Sequence, residues 1–148
     1  MHAKKNYAFI FLLVILISIS CGSSKKARVR ESKINTVIKS ARSYTGVPYK
    51  WGGTTRSGMD CSGLLLNSYK SINVKIPRTS ADQSEYGKKV SKKDLEPGDW
   101  VFFATSKKRR KITHVGLVTT TKGSNVKFIH ASTSLGVVES NLNSEYYQ

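Results

Sequence analysis

The stretch Gly58-Met59-Asp60-Cys61-Ser62-Gly63-Leu64-Leu65-Leu66 decides how this chain is read. Glycine and polar residues come first, and an apolar run follows. That order describes a loop feeding into a helix, with Asp60 near the N-cap. Cys61 then falls in the first helical turn. Unsatisfied N–H groups and the helix dipole favour an anion there, so the thiol is expected to ionise more readily than a free one. A thiolate is a nucleophile, and a cysteine enzyme would place it at such a position. An ordinary cysteine buried under a helix fits the same residues equally well. The rest of the chain has to choose between them.

Upstream, Ile34, Val37, Ile38 and Ala41 recur at helical spacing, with Gly46 as a natural stop and Pro48 just beyond. The pattern predicts a helix over residues 32–44 with an apolar stripe for the core. Pro48-Tyr49-Lys50-Trp51-Gly52-Gly53 is turn material carrying two aromatics. Its glycine pair permits positive φ and close backbone approach. Trp51 is expected to pack. Tyr49 is expected to be more open, with its hydroxyl in reach of a reacting carbonyl.

Downstream, residues 61–72 read as a helix that is apolar over a wide arc, through Leu64, Leu65, Leu66, Tyr69 and Ile72. Such a helix belongs at the centre of the fold. A turn at Ile76-Pro77-Arg78-Thr79 and a short helix over residues 80–86 follow, then a loop over 90–95 and a turn at Pro97-Gly98-Asp99. From Trp100 the chain becomes β-branched and aromatic. Strands are predicted over residues 100–104, 112–120, 126–131 and 136–139. The like-charge block Lys107-Lys108-Arg109-Arg110-Lys111 reads as an exposed hairpin loop. Helices followed by an antiparallel meander give an α+β fold class.

The chain has 148 residues, with 25 Lys and Arg against 9 Asp and Glu and a formal net charge of +16. This length suits one domain, and no internal repeat is visible. Residues 1–20 read as a secretion signal. Lys4 and Lys5 precede an apolar run over residues 8–17, which is shorter than the ~20 residues a spanning helix needs. Ser18-Ile19-Ser20-Cys21 resembles a bacterial lipobox, with Ser18 standing where leucine is usual. The resemblance implies cleavage before Cys21 and lipid attachment to its sulfur. Plain secretion with a free Cys21 is the competing reading. Residues 21–33, with Lys25, Lys26, Arg28, Arg30 and Lys33, would form a basic, flexible tether near the membrane surface. Residues 34–148 would form the folded domain.

The basic balance favours polyanionic surroundings. For an exported lipoprotein these are anionic lipid headgroups and carboxylate-bearing wall polymer. Nucleic acid would be the default partner of a cytosolic chain this basic. The leader argues against it, and there is neither zinc-finger spacing nor a helix with bases along one face. Cys21 and Cys61 could pair in an oxidising compartment. Acylation of Cys21 would prevent that and leave Cys61 a lone thiol, for which catalysis is one explanation.

Outside the leader stand two histidines, His114 and His130, both on predicted strands of the meander. On neighbouring strands their imidazoles can share one sheet face, and the preceding helix can set Cys61 against His114. That is an arrangement of nucleophile, base and orienter. Half-buried sheet histidines are the bland alternative. A Cys/His₂ metal site is the other, although the paired close spacing typical of zinc ligands is missing.

At this point the motifs carry a resemblance. Residues 48–53, then Met59-Asp60-Cys61-Ser62-Gly63, Pro97-Gly98-Asp99, His114-Val115-Gly116-Leu117-Val118 and Phe128-Ile129-His130-Ala131-Ser132 resemble, in order, the NlpC-type cell-wall cysteine peptidases. The resemblance covers nearly everything from Ile34 onward. It implies a papain-like fold, with N-terminal helices packed on a small antiparallel sheet and the cysteine at the start of the central helix. It also implies residue roles. Cys61 would be the nucleophile, His114 the base and His130 the third, polar member. Tyr49, Asp60 and Ser62 would contact substrate, Asp60 through the amine of a stem peptide. No cofactor and no metal is implied. Members of the family usually continue past the equivalent of residues 143–148 into a last strand, so either the sheet is one strand short or the sequence is truncated.

The expected function is a monomeric, lipid-anchored endopeptidase cleaving stem or cross-link peptides of peptidoglycan. It would sit in the bacterial envelope, at the outer membrane facing the periplasm. A non-catalytic wall-binding scaffold and an acyltransferase on a related fold are the alternatives.

Overall fold

Helix α1 spans residues 24–42. In this computed structural model residues 24–104, 111–123 and 125–144 are described. The expectations for the leader, for Cys21 and for most of the Lys107–Lys111 block lie outside them. Contacts divide the chain into two units, residues 1–33 and 34–148. Residues 24–33 carry only exposed side chains. Apolar periodicity starts at Ile34 and therefore placed the helix start too late. Lys, Ala, Arg and Glu are good helix formers and need no core to extend a helix. The expected flexible tether is thus helical over its described part.

In the second unit, Val37, Ile38 and Ala41 of α1 are buried. Beyond a turn the chain makes a two-stranded hairpin, β1 (Thr54–Thr55) and β2 (Gly58–Met59). The sequence had suggested only a loop there. Helix α2 (Cys61–Lys70) follows directly, and then come α3 (Ser80–Ser84) and a 3₁₀ turn at Lys92–Asp94. The latter falls inside the stretch expected to be a loop.

Four antiparallel strands complete the domain in the order β3 (Trp100–Phe103), β4 (His114–Lys122), β5 (Asn125–Ser132) and β6 (Gly136–Asn141). Neighbours in sequence are neighbours in the sheet, which makes it a meander. Side chains alternate between its faces. One face joins Leu64 and Leu65 of α2 and the α1 stripe in a core with Val115, Leu117, Ile129, Ala131 and Val137. Burying each such side chain contributes roughly 1.5–3 kcal/mol. A second cluster holds Val101, Val118, Phe128 and Leu142. Gly116 is required by the sheet packing, because a Cβ there would lie 2.4 Å from the Phe128 ring. The architecture is α+β, as expected.

Candidate active site

The start of α2 is fixed before any chemistry is considered. Asp60 is its N-cap, and its Oδ1 accepts the Gly63 N–H at 2.7 Å. The loop ahead of it is pressed onto the helix. A Cβ on Gly63 would lie 2.4 Å from the Gly53 carbonyl oxygen, so only glycine fits there. The Asp60 carboxylate also accepts the Gly52 N–H at 2.9 Å and the Ser62 hydroxyl at 3.2 Å. Arg78 grips both oxygens, Nη1 at 3.0 Å and Nη2 at 2.8 Å, and Nη1 reaches Ser62 Oγ at 2.8 Å as well. Burial alone would raise the Asp60 pKa. The Arg78 hydrogen bonds, the Gly63 N–H, the Arg78 charge and the Ser62 hydroxyl outweigh it, and the carboxyl is held below its ordinary value.

Cys61 is only 6% exposed. The backbone N–H of Val115, the residue after His114, is near enough to favour the Cys61 thiolate. Helix α2 thus delivers the thiol to the first residues of β4. Burial pushes the thiol above its ordinary pKa and the Asp60 charge adds to the rise, while the N–H groups of Val115, Ser62 and Cys61 pull it back in part. The expectation of an easily ionised thiol is therefore corrected. The helix start does supply N–H groups, but desolvation of the sulfur outweighs them.

His114 opens β4 and His130 lies on the adjacent β5. His114 Nε2 and His130 Nδ1 are 2.8 Å apart, with their rings perpendicular. His130 Nε2 lies 3.0 Å from Ser140 Oγ on β6, and its ring stacks on Phe128. Three neighbouring strands thus contribute one residue each to a line of polar groups. Burial lowers the pKa of both histidines to about 4, and for His130 the His114 charge adds to the effect. Both imidazoles are neutral at pH 7.

Tyr49 forms a β-bridge with Met59 and packs partly against the core. Its pKa is raised by burial and then by the charges of Cys61 and Asp60, so the phenol belongs to the same neighbourhood. Trp51 does not pack as expected; it is 83% exposed. The turn it occupies is glycine-rich and offers no apolar partner. Cys61 thus opens α2 with Tyr49, Asp60 and Ser62 around it, and His114 and His130 stand together on β4 and β5, His114 next in sequence to the Val115 whose N–H acts on the thiol. Arg78 and Ser140 were missed. One arginine in a proline turn and one serine on a strand carry no periodic signal, and only tertiary contact gives them a place. Among the described residues, no three His, Cys, Asp or Glu side chains are grouped to hold a metal ion.

The profile of the NlpC/P60 family matches residues 46–148. Over 146 residues the chain is 36% identical to the "Probable endopeptidase NlpC" of Escherichia coli, covering 94% of this chain and 92% of that protein. It is 38% identical to the E. coli "Murein DD-endopeptidase MepS/Murein LD-carboxypeptidase" over 71% of this chain, which is 53% of that protein. Among solved structures, an NlpC/P60 family protein from Bacillus cereus superposes with a TM-score of 0.68 at 33% identity, over 77% of this chain and 36% of that one. A profile match over most of the chain, and a relative aligned almost end to end, establish that the chain belongs to the NlpC/P60 family.

Proposed function

We propose that this protein is an exported, lipid-anchored cysteine endopeptidase that hydrolyses amide bonds in the stem or cross-link peptides of peptidoglycan. The observation that carries the reading is the line of polar side chains in which His114 Nε2 lies 2.8 Å from His130 Nδ1 and His130 Nε2 lies 3.0 Å from Ser140 Oγ, beginning one residue before the Val115 whose backbone N–H favours the Cys61 thiolate. Relatives named as endopeptidases, one of them a murein endopeptidase, supply the substrate class.

The polar line accommodates a useful tautomer. If His130 donates from Nε2 to Ser140 and accepts at Nδ1, His114 carries its proton on Nε2. Its Nδ1 lone pair is then free to act as a base. With a neutral thiol and a neutral imidazole as the resting pair, proton transfer from Cys61 to His114 accompanies attack. The sulfur adds to the scissile carbonyl carbon, and the backbone N–H of Cys61 stabilises the developing oxyanion. The imidazolium returns its proton to the leaving amine as the C–N bond breaks, which leaves a thioacyl enzyme. Water, deprotonated by His114, then releases the acid and restores the thiol. The Tyr49 hydroxyl polarises the carbonyl, and Asp60 and Ser62 hold the stem peptide near the helix start.

In this reading residues 1–20 are the signal peptide, Cys21 takes the lipid, residues 21–33 are the basic connector and residues 34–148 form the peptidase domain. The anchor places the enzyme at the outer membrane facing the periplasm. Purified sacculi incubated with the protein should lose turbidity, and Cys61→Ala or His114→Ala should abolish the loss. Full lysis by Cys61→Ala would sink the mechanism.

A further inference from the structure

Tryptophan is usually well buried, yet Trp51 is 83% exposed, the most exposed of the large apolar side chains among the described residues. Its backbone is firmly placed. The Gly53 N–H donates to the Lys50 carbonyl at 2.9 Å, closing a four-residue turn with Trp51 in second position. Gly52 takes the third position at φ +70°, as a type II turn requires. Three hydrogen bonds tie this turn to its surroundings. The Lys50 N–H donates to the Met59 carbonyl at 3.1 Å and the Asp60 N–H to the Gly53 carbonyl at 3.1 Å. The Gly52 N–H donates to Asp60 Oδ2 at 2.9 Å. The indole is thus held out to solvent by a turn bonded to the residue before Cys61.

We infer that Trp51 is a subsite for a sugar ring of the glycan strand, and that it makes the site prefer disaccharide-linked stem peptides to free ones. This deepens the peptidase reading above and rests on it. Stem peptides offer methyl groups and amines, which can touch an indole face, but none of them covers its whole flat area. A pyranose does. Its axial C–H groups present a flat, weakly positive surface that suits the negative face of an aromatic ring. Its hydroxyls stay at the rim, in water. Because the turn is rigid, docking does not have to order the backbone, and more of the contact is realised as affinity.

The test compares kcat/KM on a disaccharide-linked stem peptide with kcat/KM on the same peptide without sugar. Wild type should favour the linked substrate. Trp51→Ala should reduce that preference roughly tenfold, the order expected when a central interface tryptophan is truncated. Trp51→Tyr should retain most of it. An unchanged ratio, or an equal loss on both substrates, would overturn the inference; equal loss would assign the ring to the peptide or to folding. So would an unchanged ratio accompanied by lost binding to vesicles of anionic lipid, which would make Trp51 a membrane contact. Calorimetry of both ligands on Cys61→Ala separates this inference from the peptidase reading. Tighter binding of the linked ligand, lost in Cys61→Ala/Trp51→Ala, supports the subsite even if no turnover is found. Equal affinities overturn it.

Discussion

Arg78 binds Asp60 through two nitrogens, 3.0 and 2.8 Å from its two carboxylate oxygens, across 18 residues of sequence. The Asp60 side chain is 12% exposed and that of Arg78 is 37%. The carboxylate is also the N-cap of the helix that carries Cys61. One arginine therefore braces the position of the thiol without touching the histidines.

Asp60→Ala removes the cap, the acceptor of the Gly52 N–H and the partner of Arg78 together. It is expected to cost about 2–3 kcal/mol, more than a cap alone. Arg78→Ala leaves the carboxylate three other donors, and its partner is partly in water, so about 1 kcal/mol is expected. Urea unfolding of the two variants measures the difference. Equal losses would mean that the ion pair, not the cap, dominates.

The depressed histidines make the fold acid-sensitive. Their folded pKa values of about 4 lie below the ordinary 6.5. Between those values the unfolded chain binds more protons, so stability falls as pH drops from about 6.5 towards 4. Asp60, whose folded pKa is also lowered, adds a loss only as its carboxylate protonates, below the ordinary 3.8. Melting temperature against pH should bend downward below about 6.5, and His130→Gln should flatten that bend. A wild-type curve flat to pH 4 would contradict the burial of both imidazoles.

Burial of Cys61 has a consequence for its reactivity. Alkylation by iodoacetamide should rise with pH along a single ionisation above the ordinary thiol value of about 8.5. A plateau from pH 5 to 8 would instead reveal a thiolate–imidazolium pair in the resting protein. Turnover, rather than resting reactivity, is then the proper probe of nucleophilicity.

The centre of this fold was legible before any coordinates. Polar residues leading into Leu64–Leu66 announced α2, and Asp60 as its cap follows from chemistry within three residues. The meander was visible because its strands are rich in β-branched and aromatic residues, and His114 and His130 fell in successive strands of it. What could not be read depends on contacts distant in sequence or on balances of energy. Arg78 finds Asp60 only after folding. The Cys61 thiol feels both the helix start and the loss of water, and only burial tells which is larger. Residues 24–33 extend α1 with no apolar signal at all. Trp51 looked like core material because composition says nothing about which side of a turn faces solvent.

The most direct measurement is digestion of purified muropeptides by the protein beside its Cys61→Ala variant, with products identified by mass spectrometry. The account predicts that wild type cleaves one class of amide bond in the stem or cross-link peptide and that the variant cleaves none. Cleavage by both would contradict Cys61 as the nucleophile. Cleavage by neither would contradict peptidase activity and favour a wall-binding scaffold.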